Sequence, residues 1–259
     1  MQLLSCQRGP ALIIKVHNPE HRMGPRPIAS RNAKRLGFKL FLASVALVQI
    51  LSVWATVSIA ADPAHLKRLQ ATNKCLACDL SAANLRFANL TGADLAGANL
   101  VGVNLFGATL LGANLRRANL YRANLSFSDL EAADLRRASL RQADVRVANL
   151  KGAVLRNANL SNANMVGVNL GRAVVRSAVL KRADLKNANL EHADMTGANL
   201  QFSNLIRANL RSTNLTGADL TSSELGGVQL DGIALLCGAL MPDGRVKLCR
   251  DFLPPKARP

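Results

Sequence analysis

Aromatic residues make up only 3% of this 259-residue chain, with 1 Trp, 1 Tyr and 7 Phe. A conventional globular core uses aromatic rings to fill volume, so such a core fits poorly here, although 49% of the residues are apolar. Acid is scarce as well: 16 Asp and Glu stand against 33 Lys and Arg, a formal charge of +17. The chain has only 4 His. No Ser/His/acid, paired-carboxylate or phosphate-loop pattern appears. The sequence therefore reads as non-enzymatic, with no cofactor and no small-molecule substrate. Ala and Leu dominate what is present.

The basic charge is uneven. Residues 1–39 hold Arg8, Lys15, Arg22, Arg26, Arg31, Lys34, Arg35 and Lys39 against Glu20. An apolar run over 40–59 follows, broken by small polar residues and Gln49, and ends in Ser58-Ile59-Ala60-Ala61-Asp62. A basic stretch, an apolar stretch and small residues at the cleavage spacing form the pattern of a secretory signal. The basic stretch is long, which makes Met23 an alternative start to Met1. The run is also long enough to span a bilayer, so a membrane anchor through 40–59 is the rival reading. A buried core helix is the third, and the dense basic flank argues against it. We expect residues 1–61 to be a signal peptide or signal anchor and the rest to be exported, periplasmic or secreted. Without that segment the charge falls from +17 to about +10.

Internal repetition decides the architecture. From Leu80 to Leu230 every fifth residue is apolar, 31 positions in all. All are Leu except Val145, Met165, Val175 and Met195. Two residues earlier stands Ala in 23 of the 31, and otherwise Cys78, Val103, Ser128, Val168, Ser203, Thr213, Ser223 or Val228. The residue between is usually Asn or Asp, as in Ala98-Asn99-Leu100. On an α-helix five residues advance about 500°, so the leucines would drift around the whole surface. On a flat strand an odd spacing would send alternate leucines to opposite faces. The pattern works only if the chain turns a corner in every pentad, with Leu and the preceding Ala pointing inward. Such a coil must stack on copies of itself. Asn and Asp favour turns by bonding to nearby backbone groups, and Gly at the last place, as in Gly92 and Gly97, tolerates unusual dihedrals.

Ala-(Asp/Asn)-Leu-x-x in tandem over residues 78–232 resembles the pentapeptide repeat family. The resemblance implies an all-β fold, a right-handed quadrilateral β-helix with four pentads per coil and Leu on the axis. The 31 pentads then make nearly eight coils, a rod of roughly 37 Å at about 4.8 Å per layer. The open ends need lids. Asp62-Pro63 followed by Leu66 and Leu69 predicts a short helix as the N-terminal cap, over 62–77. After Leu230 the rule decays through Leu235 and Leu240. Met241-Pro242-Asp243-Gly244 predicts a β-turn, and 233–259 reads as a C-terminal cap with a basic tail. Similar Cys-containing flanks occur in exported members of the family. A disulfide needs Cα atoms within about 7 Å, and the rod separates its ends by more. If oxidised, the pairs are then Cys75–Cys78 and Cys237–Cys249. The alternative for Cys75 and Cys78, a redox or metal site, lacks a βαβ context and partner ligands. Cys6 falls in the targeting segment.

With twenty residues per coil, Arg116, Arg136, Arg156 and Arg176 stack in one column, and Arg117 and Arg137 stand beside the first two. Asp134 is the acid expected beside them. This is read as an anion-binding stripe, against the alternative of a solvated face. Val154 and Val174 replace Asn/Asp there and should weaken the turns. Phe87, Phe106 and Phe127 point outward, placed on an adjoining side near Val101, Leu111 and Tyr121, and mark a candidate docking or dimer patch. Two functions remain. The favoured one is a rigid exported binding or scaffold module that meets a protein or an anionic envelope component. The other is nucleic-acid-related: some pentapeptide proteins act on topoisomerases by mimicking DNA through an acidic surface. Here 17 basic residues face 12 acidic ones over the repeats, which disfavours mimicry, and export disfavours a nucleic-acid partner.

Overall fold

The computed structural model describes residues 61–229 and 235–248. The expected signal or anchor segment, Cys6, Leu230 and Cys249 lie outside them, Ala61 excepted. Among the described residues no helix is long and apolar enough to cross a membrane.

Helix α1 (Pro63–Thr72) opens the described chain. The Asp62 carboxylate accepts the Ala64 N–H at 2.8 Å, and Pro63 fills the first turn where an N–H is not needed. Asn73, at φ 54°, ends the helix. Leu69 faces the first coil at 3% exposure. Three bonds fasten the lid: Asp62 N–H to Asp79 O, Asp79 N–H to His65 Nδ1, and Asn73 Nδ2–H to Thr91 O.

Beyond α1 the chain coils. Parallel bridges join residues twenty apart, from Lys74 with Asp94 to Asn209 with Gln229. Four pentads therefore close one coil. We number its corners by the turns that follow the axial residues: 95 and 115 for the first, 100 and 120 for the second, 105 and 125 for the third, 110 and 130 for the fourth. Each side takes the number of the corner it leads into. Neighbouring coils exchange two bonds per side, as when Leu95 N–H donates to Asn114 O and Asn114 N–H to Ala93 O, both at 2.8 Å. The axial leucines and their alanines are almost fully buried along the stack.

Each corner is a turn in which the axial carbonyl accepts the N–H three residues on, as from Ala98 to Leu95 at 3.1 Å. The third residue of the turn takes positive φ, 67° at Gly97. Most non-glycine residues pay for this conformation sterically, yet Arg117, Arg137 and many others adopt it. The Asn or Asp before the axial residue offsets the strain, since its Oδ1 accepts the first N–H of the turn. Asn114 does so for Arg116 and Asp134 for Arg136.

Two ends differ from expectation. The ladder begins ahead of residue 78, because Lys74 already bridges Asp94 and Cys75 fills the axial place at 0% exposure. At the other end, Asn214 pairs with Leu235 and Asp219 with Leu240, which are 21 apart. One extra residue between 229 and 235 exchanges inward and outward positions. Leu235 and Leu240 thus take the Asn/Asp place, not the axis. Leu235 is 44% exposed while Leu236 turns inward at 8%. The ladder runs past 232 to Leu240, which pairs antiparallel with Val246 around the expected Met241–Gly244 turn, closed by Gly244 N–H to Met241 O.

Val147 is the β-branched residue among the positive-φ positions, at 56°, where such side chains are most strained. Val147→Gly is expected to raise stability in urea unfolding by about 0.5–1 kcal/mol. A loss would instead assign the larger effect to its packing over Gly167, where an added Cβ would stand 3.7 Å from the Val147 methyl.

Candidate functional site

The first corner carries the predicted arginine column. The bonds of the coil fix it: Arg117 N–H donates to Arg136 O, Arg137 N–H to Arg156 O and Asn157 N–H to Arg176 O, each at 3.0 Å. Arg116, Arg117, Arg136, Arg137 and Arg156 converge with Asn157 on a cleft of about 280 Å³. Arg176 stands in the column but does not line the cleft.

Acids offset part of this charge. Arg136 grips Asp134 with Nε at 2.8 and 3.0 Å and with a second guanidinium nitrogen. Arg116 Nε lies 3.9 Å from the same carboxylate. Asp134 was expected to be the acid beside the column; the structure adds Asp194, one coil on, which pairs with Arg176. No carboxylate lies within 4.0 Å of Arg117, Arg137 or Arg156 among the described residues. The hydrogen bond from Arg136 holds the Asp134 carboxyl below its ordinary range, against the opposing effect of burial. At Asp194 burial pushes upward, but bonds from Thr196 and Arg176 prevail and the net direction is down.

Where Val154 and Val174 replace Asn/Asp, the N–H of Arg156 and of Arg176 finds no acceptor among the described residues. Sequence reasoning missed the second corner, where Arg122, Arg141, Lys181 and Arg182 add further cations. Writing the chain in rows of twenty would have shown them. Gln142 Oε1 there accepts from Arg122 Nε at 2.9 Å and from the Tyr121 hydroxyl at 3.1 Å.

The phenylalanines form a ladder. Phe87 meets Phe106 edge-on at 5.5 Å between centroids, and Phe106 meets Phe127 at 5.4 Å. The Arg86 guanidinium lies over the Phe106 ring at 5.0 Å. The ladder is not on an adjoining side as expected. It occupies the third corner, two pentads and hence half a coil from the arginines, while Val101 and Tyr121 belong to the second corner and Leu111 to the fourth. Gly107 makes room for it, since a Cβ there would stand 2.6 Å from the Phe87 ring.

Cys75 and Cys78 form a disulfide between an axial place and the next small-residue place, with exposures of 0% and 1%. Their burial leaves no exposed nucleophile. Cys237 is disulfide-bonded, and its expected partner, Cys249, lies outside the described residues. Among the described residues no cluster of three or more His, Cys, Asp or Glu is arranged to hold a metal.

The family model for pentapeptide repeats matches in 8 copies, in overlapping segments from 78–105 to 198–233. The chain belongs to the pentapeptide repeat family. A search of curated proteins finds no match. Among solved structures, this pentapeptide repeat chain is similar to HetL of the cyanobacterium Nostoc, a protein involved in heterocyst differentiation regulation. Identity is 32%, over 72% of this chain and 99% of that one, with a TM-score of 0.45. A pentapeptide repeat protein of the Arabidopsis thaliana thylakoid lumen shares 30% identity over 39% and 68%, with a TM-score of 0.37. QnrB1, a plasmid-mediated fluoroquinolone resistance protein, shares 27% over 60% and 84%, with a TM-score of 0.40.

The Asp134 shift has a measurable consequence. A depressed carboxylate contributes stability above its unfolded pKa, about 3.9, and that stability is lost as pH falls through the lower folded value. In an NMR titration, the Asp134 carboxyl carbon is expected to titrate below that figure, and Arg136→Gln to raise its midpoint. An unchanged midpoint would show that the guanidinium does not hold the carboxylate.

Proposed function

We propose that this protein is a non-enzymatic exported scaffold whose stiff coil presents the first corner to an anionic partner, an envelope component or an acidic protein surface. The observation that carries this reading is the convergence of five arginines on one cleft, with Asp134 as its offsetting acid. Like charges stacked about 4.8 Å apart repel, and a bound anion relieves that repulsion while gaining paired, fork-like hydrogen bonds. Stiffness follows from the backbone bonds that tie each coil to the next. Export is supported by the basic and apolar segments at the start of the sequence, and the buried Cys75–Cys78 bridge suits an oxidising compartment. The basic balance of the repeats continues to disfavour DNA mimicry.

Retention of the full-length protein on an anionic matrix should fall steeply with salt. Replacing Arg116, Arg136, Arg156 and Arg176 together with Gln is expected to weaken it at least about tenfold. Unchanged retention in the quadruple variant overturns the reading.

A further inference from the structure

Between residues 79 and 224 the Asn/Asp rule fails at Thr109, Ser139, Val154, Val174, Val179 and Glu224. At each of these the first N–H of the following turn, on Leu111, Arg141, Arg156, Arg176, Lys181 and Gly226, finds no acceptor among the described residues. Val154 and Val174 lie on the side that leads into the arginine corner, and Ser139 and Val179 on the side that leaves it. Two of the six donors therefore stand at the arginine corner and two at the second corner, while Gly226 is at the third and Leu111 at the fourth.

Side-chain amides repeat the contrast. On the fourth side they form a closed ladder, in which Asn149 donates to Asp129, Asn169 to Asn149, Asn189 to Asn169 and Asn209 to Asn189, at 3.0–3.2 Å. On the second side, Ser139 and Val179 interrupt the row. Only Asn99 donates along it, to Asp79 at 3.0 Å, and the side-chain N–H groups of Asn119, Asn159 and Asn199 find no acceptor among the described residues. Between Asp79 and Asp219 that row holds no carboxylate: it reads Asn99, Asn119, Ser139, Asn159, Val179 and Asn199. Its rims are the arginine corner on one edge and Arg122, Arg141, Lys181 and Arg182 on the other.

We propose that the second side and its two corners form a track for one extended anionic polysaccharide lying along the coil axis. This rests on the scaffold reading above and names its ligand. Cations at both edges suit oxyanions that alternate along a sugar ribbon, and the amide and backbone donors between them suit its hydroxyl and ring oxygens. Nucleic acid is served less well, since base stacking needs aromatic platforms. Tyr121 already lies under Arg122, 5.1 Å from its centroid, and bonds Gln142. A membrane surface is served less well too: the large exposed apolar residues of these two corners, Leu76 and Phe202, lie near opposite ends of the stack.

The test uses the full-length protein and four probes: dextran sulfate, uncharged dextran, duplex DNA and phosphatidylglycerol vesicles. In the triple variant Val154→Asn, Val174→Asn, Val179→Asn, charge is unchanged while the turn donors gain internal acceptors. It is expected to bind dextran sulfate about five- to tenfold more weakly, the loss of exposed hydrogen bonds to an anion, with its thermal midpoint not lowered. If the triple variant binds as before while the quadruple arginine variant does not, the track is overturned and the scaffold reading stands. If neither variant weakens binding, both readings fail. Tighter binding of DNA, of vesicles or of uncharged dextran than of dextran sulfate also overturns the proposal.

Discussion

No single coil can keep its axial leucines from water, so each coil depends on the two that sandwich it. Leu115, Leu135 and Leu155 are fully buried because they lie one above another, separated by one backbone layer. The alanines two residues before them set how closely the sides approach the axis. A larger residue at Ala133 or Ala153, both at 0% exposure, has no space to enter. This shared interior ties the corners, the lid and the surface columns to one another. The repeats need no aromatic ring on the axis, because Leu fills this narrow channel, with Val145, Met165, Val175 and Met195 taking its place at four positions.

The same constraint determines the chemistry of the surface. A residue outside the coil has its vertical neighbours fixed by the twenty-residue period, so one repeated choice becomes a column. Arginine repeated at the first corner yields a column of like charge, which Asp134 relieves at Arg116 and Arg136 and Asp194 relieves at Arg176. Phenylalanine at the third corner yields an aromatic ladder, for which Gly107 leaves space. A packed axis offers no room for a substrate, so whatever this pentapeptide repeat protein recognises meets it from outside.

Much of this was legible in the sequence because the stride of five has one geometric solution. The arginine column followed from counting in twenties, and the α1 cap from Asp62-Pro63. What escaped depended on events that leave no local mark. The extra residue between 229 and 235 shifts Leu235 off the axis although it still looks like a repeat leucine. Cys75 occupies an axial place although it breaks the leucine rule that marks one in the sequence. The phenylalanines stand two pentads from the arginines, half a coil away, a separation that shows only when the chain is laid out in coils. The pairing of Arg176 with Asp194 spans 18 residues and follows from side-chain reach, which spacing alone does not encode. The unsatisfied N–H groups appear only when every turn bond is accounted for.

The central claim is that twenty residues of chain advance the molecule by one backbone layer. Spin labels on cysteines placed at Ala82 and Ser222, both at the second corner and both exposed, measure this directly by electron–electron dipolar spectroscopy. The 140 residues between them make seven coils, so the account predicts a narrow distribution centred near about 34 Å. A pair at Gln142 and Ser222 should shorten this to about 19 Å. Broad distributions, or distances that do not grow in proportion to the number of coils, would contradict it.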